Sequence, residues 1–175
     1  MKHVGKSYDK VDAKGILSGK PSYTGDFVPK DALIIKVLRS PHAQARIKSI
    51  DTSKAKLITG VEAIFTYEDV PNTRFTLAGQ TYPEPSAYDA LILDPVVRYV
   101  GDEVALVVAK DEATALKAMP LIKVEYEVHK PVLDMRTAID HETIVHPEED
   151  IHNHIPVGQD YKRNICVSYH WRYRI

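Results

Sequence analysis

Cysteine is almost missing from this chain of 175 residues, where Cys166 stands alone. A single thiol excludes an internal disulfide, and it excludes a zinc or iron–sulfur centre built from this chain's cysteines. It suits a reducing, cytoplasmic setting. An excess of charge of one sign is missing too. Twenty-three Lys and Arg meet twenty-four Asp and Glu, for a formal net charge of -1. Nucleic-acid binding usually shows as a strongly basic face, so no nucleic-acid partner is expected. No apolar run approaches the roughly 18 residues of a membrane span. The opening "MKHVGKSYDKVDAKG" lacks the apolar stretch of a signal peptide. Phenylalanine and tryptophan are scarce, at three and one, against ten tyrosines.

What is present suits a soluble globular domain. Hydrophobic residues make up 44% and charged residues 27%, both ordinary values. The length fits one domain, or one domain with a tail. Such a chain buries on the order of 70% of its unfolded surface and needs no staples.

The pattern along the chain reads as α/β, or α+β, with helices packed on one mixed β-sheet. Residues 1–25 form an irregular arm with four glycines. "ALIIKVL" (32–38) is a strand stopped by Pro41 in "RSPH". "ARIKSID" (45–51) is a weaker strand whose apolar residues are Ala45, Ile47 and Ile50. "DTSKAKLI" reads as a short helix capped by Asp51 or Thr52 and ended at Gly60. "VEAIF" (61–65) is the next strand, and "TYEDVP" is a single turn.

Residues 71–94, with Pro71, Pro83, Pro85 and Gly79, read as one long loop. Loops this long in a compact domain usually bind or cover something. "EVALVVA" (103–109) is a continuous apolar strand covered on both faces, with Leu106 and Val108 as expected core residues. "DEATALKAM" (111–119) is a helix with Asp111 as N-cap and Pro120 as its stop. In "LIKVEYEV" (121–128), Ile122, Val124, Tyr126 and Val128 alternate with Lys123, Glu125 and Glu127, as in a half-exposed strand. Strand–helix–strand therefore occurs twice.

The stretch "RYVGDEVALVVA" (98–109) poses the sharpest chemical question. A phosphate-binding turn needs several glycines between a strand and a helix. Here Gly101 is alone and precedes a strand. Asp102 and Glu103 are adjacent, so on a strand they point to opposite faces and do not form an acid/base pair. Gly101 is expected to make a turn or bulge, with the acids at a strand entrance.

This stretch, followed by "IKVEYEV", resembles the hammerhead domain of the molybdenum hydroxylases, the family of xanthine dehydrogenase, aldehyde oxidase and carbon monoxide dehydrogenase. "GKPSYTGDF", "VLRSPHAQARIKSIDTSKA" and "GVEAIFTYEDVP" match the same family in the same order. The resemblance runs over about residues 10–140, and "YTGDF" with "RYVGDEVA" leans toward xanthine dehydrogenase. It implies a hammerhead-type domain over 1–140 that opens a molybdenum-binding large subunit. Residues 141–175 would then be an irregular tail at the start of the molybdopterin-binding region. The resemblance further implies a complete enzyme that hydroxylates purines or related heterocycles with oxygen from water. That enzyme would hold molybdopterin and pass electrons to iron–sulfur and FAD subunits or domains. The chain itself is expected to carry no catalytic, cofactor-binding or metal-binding residue and to be inactive alone. The ending "VSYHWRYRI" departs from the family pattern and suggests a truncated or interrupted reading frame.

Other groups invite competing readings. His141, His146, His152 and His154 lie among Glu142, Glu148, Glu149 and Asp150. Zinc accepts such ligands, but the helical His spacing is missing. The plain alternative is a solvated polar linker. "RSPH" with Arg39 and His42 is either a surface turn or a contact to the rest of a large subunit. Cys166 lacks a partner base, and Ser40 and Ser168 lack a nucleophile elbow. Tyr8, Tyr23, Tyr82 and Tyr88 suit an interface. A stand-alone small-ligand or protein-binding α/β domain, with loop 71–94 as its pocket, remains the alternative function. A His-dependent metal protein is a third reading.

Overall fold

The computed structural model describes residues 3–20, 23–77 and 86–168. Its chain divides into two compact units, Met1–Ala32 and Leu33–Ile175. The first holds a short helix α1 (Ala13–Leu17) and a 3₁₀ turn over Thr24–Phe27. The expected arm thus contains local helical turns.

Among the described residues the second unit contains six strands: β1 (Ile34–Arg39), β2 (Ala45–Asp51), β3 (Val61–Phe65), β4 (Val96–Val97), β5 (Glu103–Ala109) and β6 (Lys123–Val128). Helices α2 (Ser53–Lys56) and α3 (Glu112–Ala118) connect them. The α/β character is as the sequence indicates, but the single mixed sheet is not. There are two sheets of three strands, ordered β1-β5-β3 and β4-β2-β6, and every pairing is antiparallel. The reason lies in the connections. Unit β2–α2–β3 and unit β5–α3–β6 each pass from one sheet to the other. Their strands therefore never become parallel neighbours, as they would when a crossover returns to its own sheet.

β5 occupies the centre of its sheet. Ala105, Val107 and Ala109 turn toward the helices and pack with Ala55, Ile64, Ala115, Ala118 and Ile122. Val104 turns the other way and packs with Ala45, Ile47 and Val97 of the second sheet. Both faces are thus covered, as expected of a continuous apolar strand. Val108 is buried, but Leu106 is only half-buried. Among the described residues, the largest fully buried side chains are Val97, Val104 and Val107.

β2 shows why its apolar spacing is uneven. Ile47 pairs with Tyr126, yet Ser49 pairs with Glu125, so Lys48 is an extra residue. This bulge shifts the alternation by one, and Ile50 joins Ala45 and Ile47 on the inner side. Asp51 Oδ1 accepts the Ser53 N–H at 2.9 Å, whereas Thr52 makes no capping bond. Asp111 caps α3 by accepting the Thr114 N–H at 2.7 Å. Gly60 turns the chain at φ +91° before β3. The expected inner face of β6 fails at its end, where Val128 is 58% exposed.

Candidate interface and the polar junction behind it

Gly101 stands at the corner between β4 and β5. Gly101 adopts φ +100°, a conformation that costs an L side chain dearly. Its N–H donates to the Ser40 carbonyl at 2.8 Å. Asp102 accepts the backbone N–H groups of Arg98 and Glu103 at 2.8 and 3.0 Å. Burial, set against those bonds, raises its carboxyl above the ordinary range. Glu103 instead accepts from Arg39 Nη1 at 2.8 Å and from the Tyr99 hydroxyl at 3.2 Å. The two acids serve different partners, so they brace a strand entrance. Ser40 is buried and exchanges bonds with the backbone of His42, each 3.0 Å long. The His42 ring sits edge-on to Tyr126, with centroids 4.8 Å apart. The "RSPH" turn thus uses these groups within its own domain.

Residues 74–77 and 86–98, the latter including β4, meet the tail at a buried polar junction. Phe75 and Ala90 form a bridge within the loop, and Tyr88 bridges to His152 in the tail. Arg98 is only 11% exposed. Its Nη1 donates to Asp94 at 2.8 Å and to the Val96 carbonyl at 3.0 Å. Nε donates to the Val145 carbonyl at 3.1 Å, and Nη2 pairs with Glu148. Arg74 donates to the Asp89 carbonyl at 2.9 Å. Its Nε lies 2.8 Å from Asp150, an ion pair rather than a well-aimed hydrogen bond. Residues 145–152 of the tail are therefore no solvated linker. The four clustered histidines, His141, His146, His152 and His154, do not gather at one point, although His152 and His154 meet, with ring centroids 5.9 Å apart. His146 sits 4.0 Å from Asp89 and 3.9 Å from Glu148. Burial first, then Arg98, lowers its pKa below the ordinary 6.5. His152 stacks on Tyr88 at 4.9 Å, with His154 edge-on to the same ring at 4.7 Å. The His141 ring accepts the Thr143 N–H at 3.0 Å.

In front of the junction lies a groove of about 410 Å³. Val132, Leu133, Met135, Ala138, Val145 and Cys166 supply most of its lining. Asn164, at φ 58°, ties its walls together. Its side chain donates to the Ala138 and Thr143 carbonyls at 3.0 and 2.9 Å and accepts the Val145 N–H at 2.9 Å. Leu133 and Met135 remain 81% and 87% exposed. Tyr8 and Tyr23 are exposed, in the first unit. Tyr82 lies outside the described residues. Sequence reasoning missed Arg74, Arg98, Asn164, Leu133 and Met135. Only the last two left a signal, as apolar residues with no periodicity to bury them.

Two antiparallel sheets of three strands, joined by short helices, make this an α/β domain. The chain belongs to the aldehyde oxidase and xanthine dehydrogenase family: the model of that family's a/b hammerhead domain matches residues 18–130. It is 39% identical to a probable hypoxanthine oxidase of Escherichia coli O157:H7, over 95% of this chain and 20% of that protein. It is 34% identical to the carbon monoxide dehydrogenase large chain of Afipia carboxidovorans, over 89% of this chain and 20% of that one. Among solved structures it is similar to quinoline 2-oxidoreductase from Pseudomonas putida 86, with TM-score 0.66 and 33% identity, over 81% of this chain and 18% of that one. The aldehyde oxidoreductase of Desulfovibrio gigas gives TM-score 0.68 and 30% identity, over 82% and 16%. The chain thus spans about a fifth of the length of these relatives.

Proposed function

We propose that this domain is a non-catalytic structural module of a molybdenum-binding large subunit, of the xanthine dehydrogenase-like kind. The carrying observation is the match over 95% of this chain but only 20% of the relative. Residues 1–140 form the hammerhead domain with its arm, and 141–175 lead toward the molybdopterin-binding region. The complete enzyme hydroxylates a purine or related heterocycle in the cytoplasm. It works with molybdopterin and with FAD and iron–sulfur partners.

The buried cations of the junction are not free to hold the cofactor's phosphate. A pterin-held metal needs cationic or N–H donors free to meet its phosphate. Arg74 and Arg98, the buried guanidiniums of the junction, are already matched by Asp150, Asp94 and Glu148. Among the described residues no three metal-ligating side chains converge. No step of the reaction is therefore assigned to this chain. No helix among the described residues is long and apolar enough to cross a membrane.

The test is co-expression of the tagged chain with the four fifths of the Escherichia coli relative that it does not match. The two polypeptides should purify together. The chain alone should turn over neither xanthine, hypoxanthine nor aldehydes with an artificial electron acceptor. Hydroxylation by the isolated chain, or no co-purification, overturns the proposal and favours a stand-alone binding domain.

A further inference from the structure

We propose that the exposed pair His152 and His154 chelates one divalent transition-metal ion of the copper–zinc class. The inference stands on the pair's own geometry and does not depend on the module reading. Residue 152 bridges to Tyr88 in extended backbone. On an extended chain, positions two apart face the same way. Asn153 between them turns inward, half-buried, and donates to the Tyr161 hydroxyl at 3.0 Å. The helical histidine spacing is therefore not needed here, because alternation along extended backbone brings two imidazoles to one side.

The two rings are close enough to share an ion. A zinc–imidazole bond of about 2.0–2.1 Å, with the ring centroid about 1.1 Å behind the nitrogen, sets two ligating rings about 5 Å apart at a tetrahedral angle. The observed centroid separation is 5.9 Å, with planes inclined at 70°. Rotation about the broad terminal torsion of histidine closes the difference. Tyr88 positions both rings in advance. It stacks on His152 at 4.9 Å and meets His154 edge-on at 4.7 Å. Ligands already placed lower the ordering cost of binding.

A second observation concerns the tautomer. His152 Nδ1 lies 3.1 Å from the Asp150 carbonyl. A carbonyl only accepts, so Nδ1 carries the proton and the neutral ring keeps its lone pair on Nε2. Metal-binding histidines are oriented in this way, one nitrogen donating to a carbonyl or carboxylate and the other ligating. Local charge agrees. Residues 141–161 contain no Lys or Arg, and Glu149 and Asp150 directly precede the pair. Imidazole suits copper and zinc, with Cu(II) bound more tightly than Zn(II). Among the described residues no third metal-ligating side chain joins the two, so water completes the shell.

The test titrates the full chain with Cu(II) and with Zn(II) in a calorimeter. An N-terminal tag without histidine stays in place, so that no free amino terminus beside His3 adds a copper site of its own. We expect one ion per chain, Cu(II) tighter than Zn(II). His152→Ala and His154→Ala should each weaken binding at least about tenfold, because either leaves one imidazole where two acted at high effective concentration. His129→Ala, at an exposed histidine outside the cluster, should leave binding unchanged. A readout on the unaltered chain guards against misfolded variants: Cu(II) should broaden the amide NMR signals around residues 88 and 150–154 before others. Absence of saturable binding below about 100 µM overturns the site. So does binding that survives either substitution undiminished, or broadening centred elsewhere in the chain.

Discussion

Arg98 divides its guanidinium among Asp94, Glu148 and two carbonyls, and in doing so it joins the loop to the tail. Removing one member of a buried pair leaves the other charge uncompensated. Arg98→Ala should therefore cost about 3–5 kcal/mol, read from urea melts. His146 beside it links this junction to pH. Folding keeps its imidazole neutral below the ordinary 6.5, so the unfolded chain takes up the proton first on acidification. Its contribution to stability is then intact above that value. It declines as pH falls through about 6.5 and levels off once the folded ring is protonated as well. His146→Gln should flatten the fall in urea stability between neutral and mildly acidic pH. An unchanged profile would show that the ring is not the titrating group. In the core, Ile64 is 4% exposed while Leu106 is half-buried. Ile64→Ala should cost about 2–5 kcal/mol, and Leu106→Ala clearly less, by the same melts. The sequence marked Leu106 as core because its neighbours are apolar. Periodicity in a continuous apolar run cannot say which face is more deeply covered.

The strands and helices were mostly legible because their signals are local. β2 and β3 fall on the ranges that their apolar residues and flanking turns indicate. Asp111 was readable as a cap because capping needs only its own side chain and the next turn's N–H groups. Asp111→Ala should cost about 1 kcal/mol and loosen α3, seen as faster amide exchange there without loss of the β-sheets. The bulge at Lys48 was present in the spacing of Ala45, Ile47 and Ile50, but its meaning needed the partner strand β6. β4 escaped notice because it has two residues and exists only by pairing with Ala45 and Arg46.

At the level of the entire domain, the open groove should make stability depend on a partner. A partner that binds only the folded chain stabilises it by about 2.7 kcal/mol at a hundredfold excess over Kd. Adding the unmatched part of the relative should raise the chain's melting temperature in a concentration-dependent way, whereas an unchanged melt would argue against docking. The amino-acid order alone carried the family resemblance, the strands, the caps and the lack of a phosphate-binding turn at Gly101. Each depends on residue type within a short window, where backbone sterics and apolar alternation decide. Tertiary structure alone decided that the crossovers change sheets, that the tail folds onto Arg98 and Tyr88, and that Leu133 and Met135 stay uncovered. These features depend on which distant segments meet. Arg98 and Glu148 are fifty residues apart, and nothing in either neighbourhood encodes the other, because their attraction acts only once the core has brought them together.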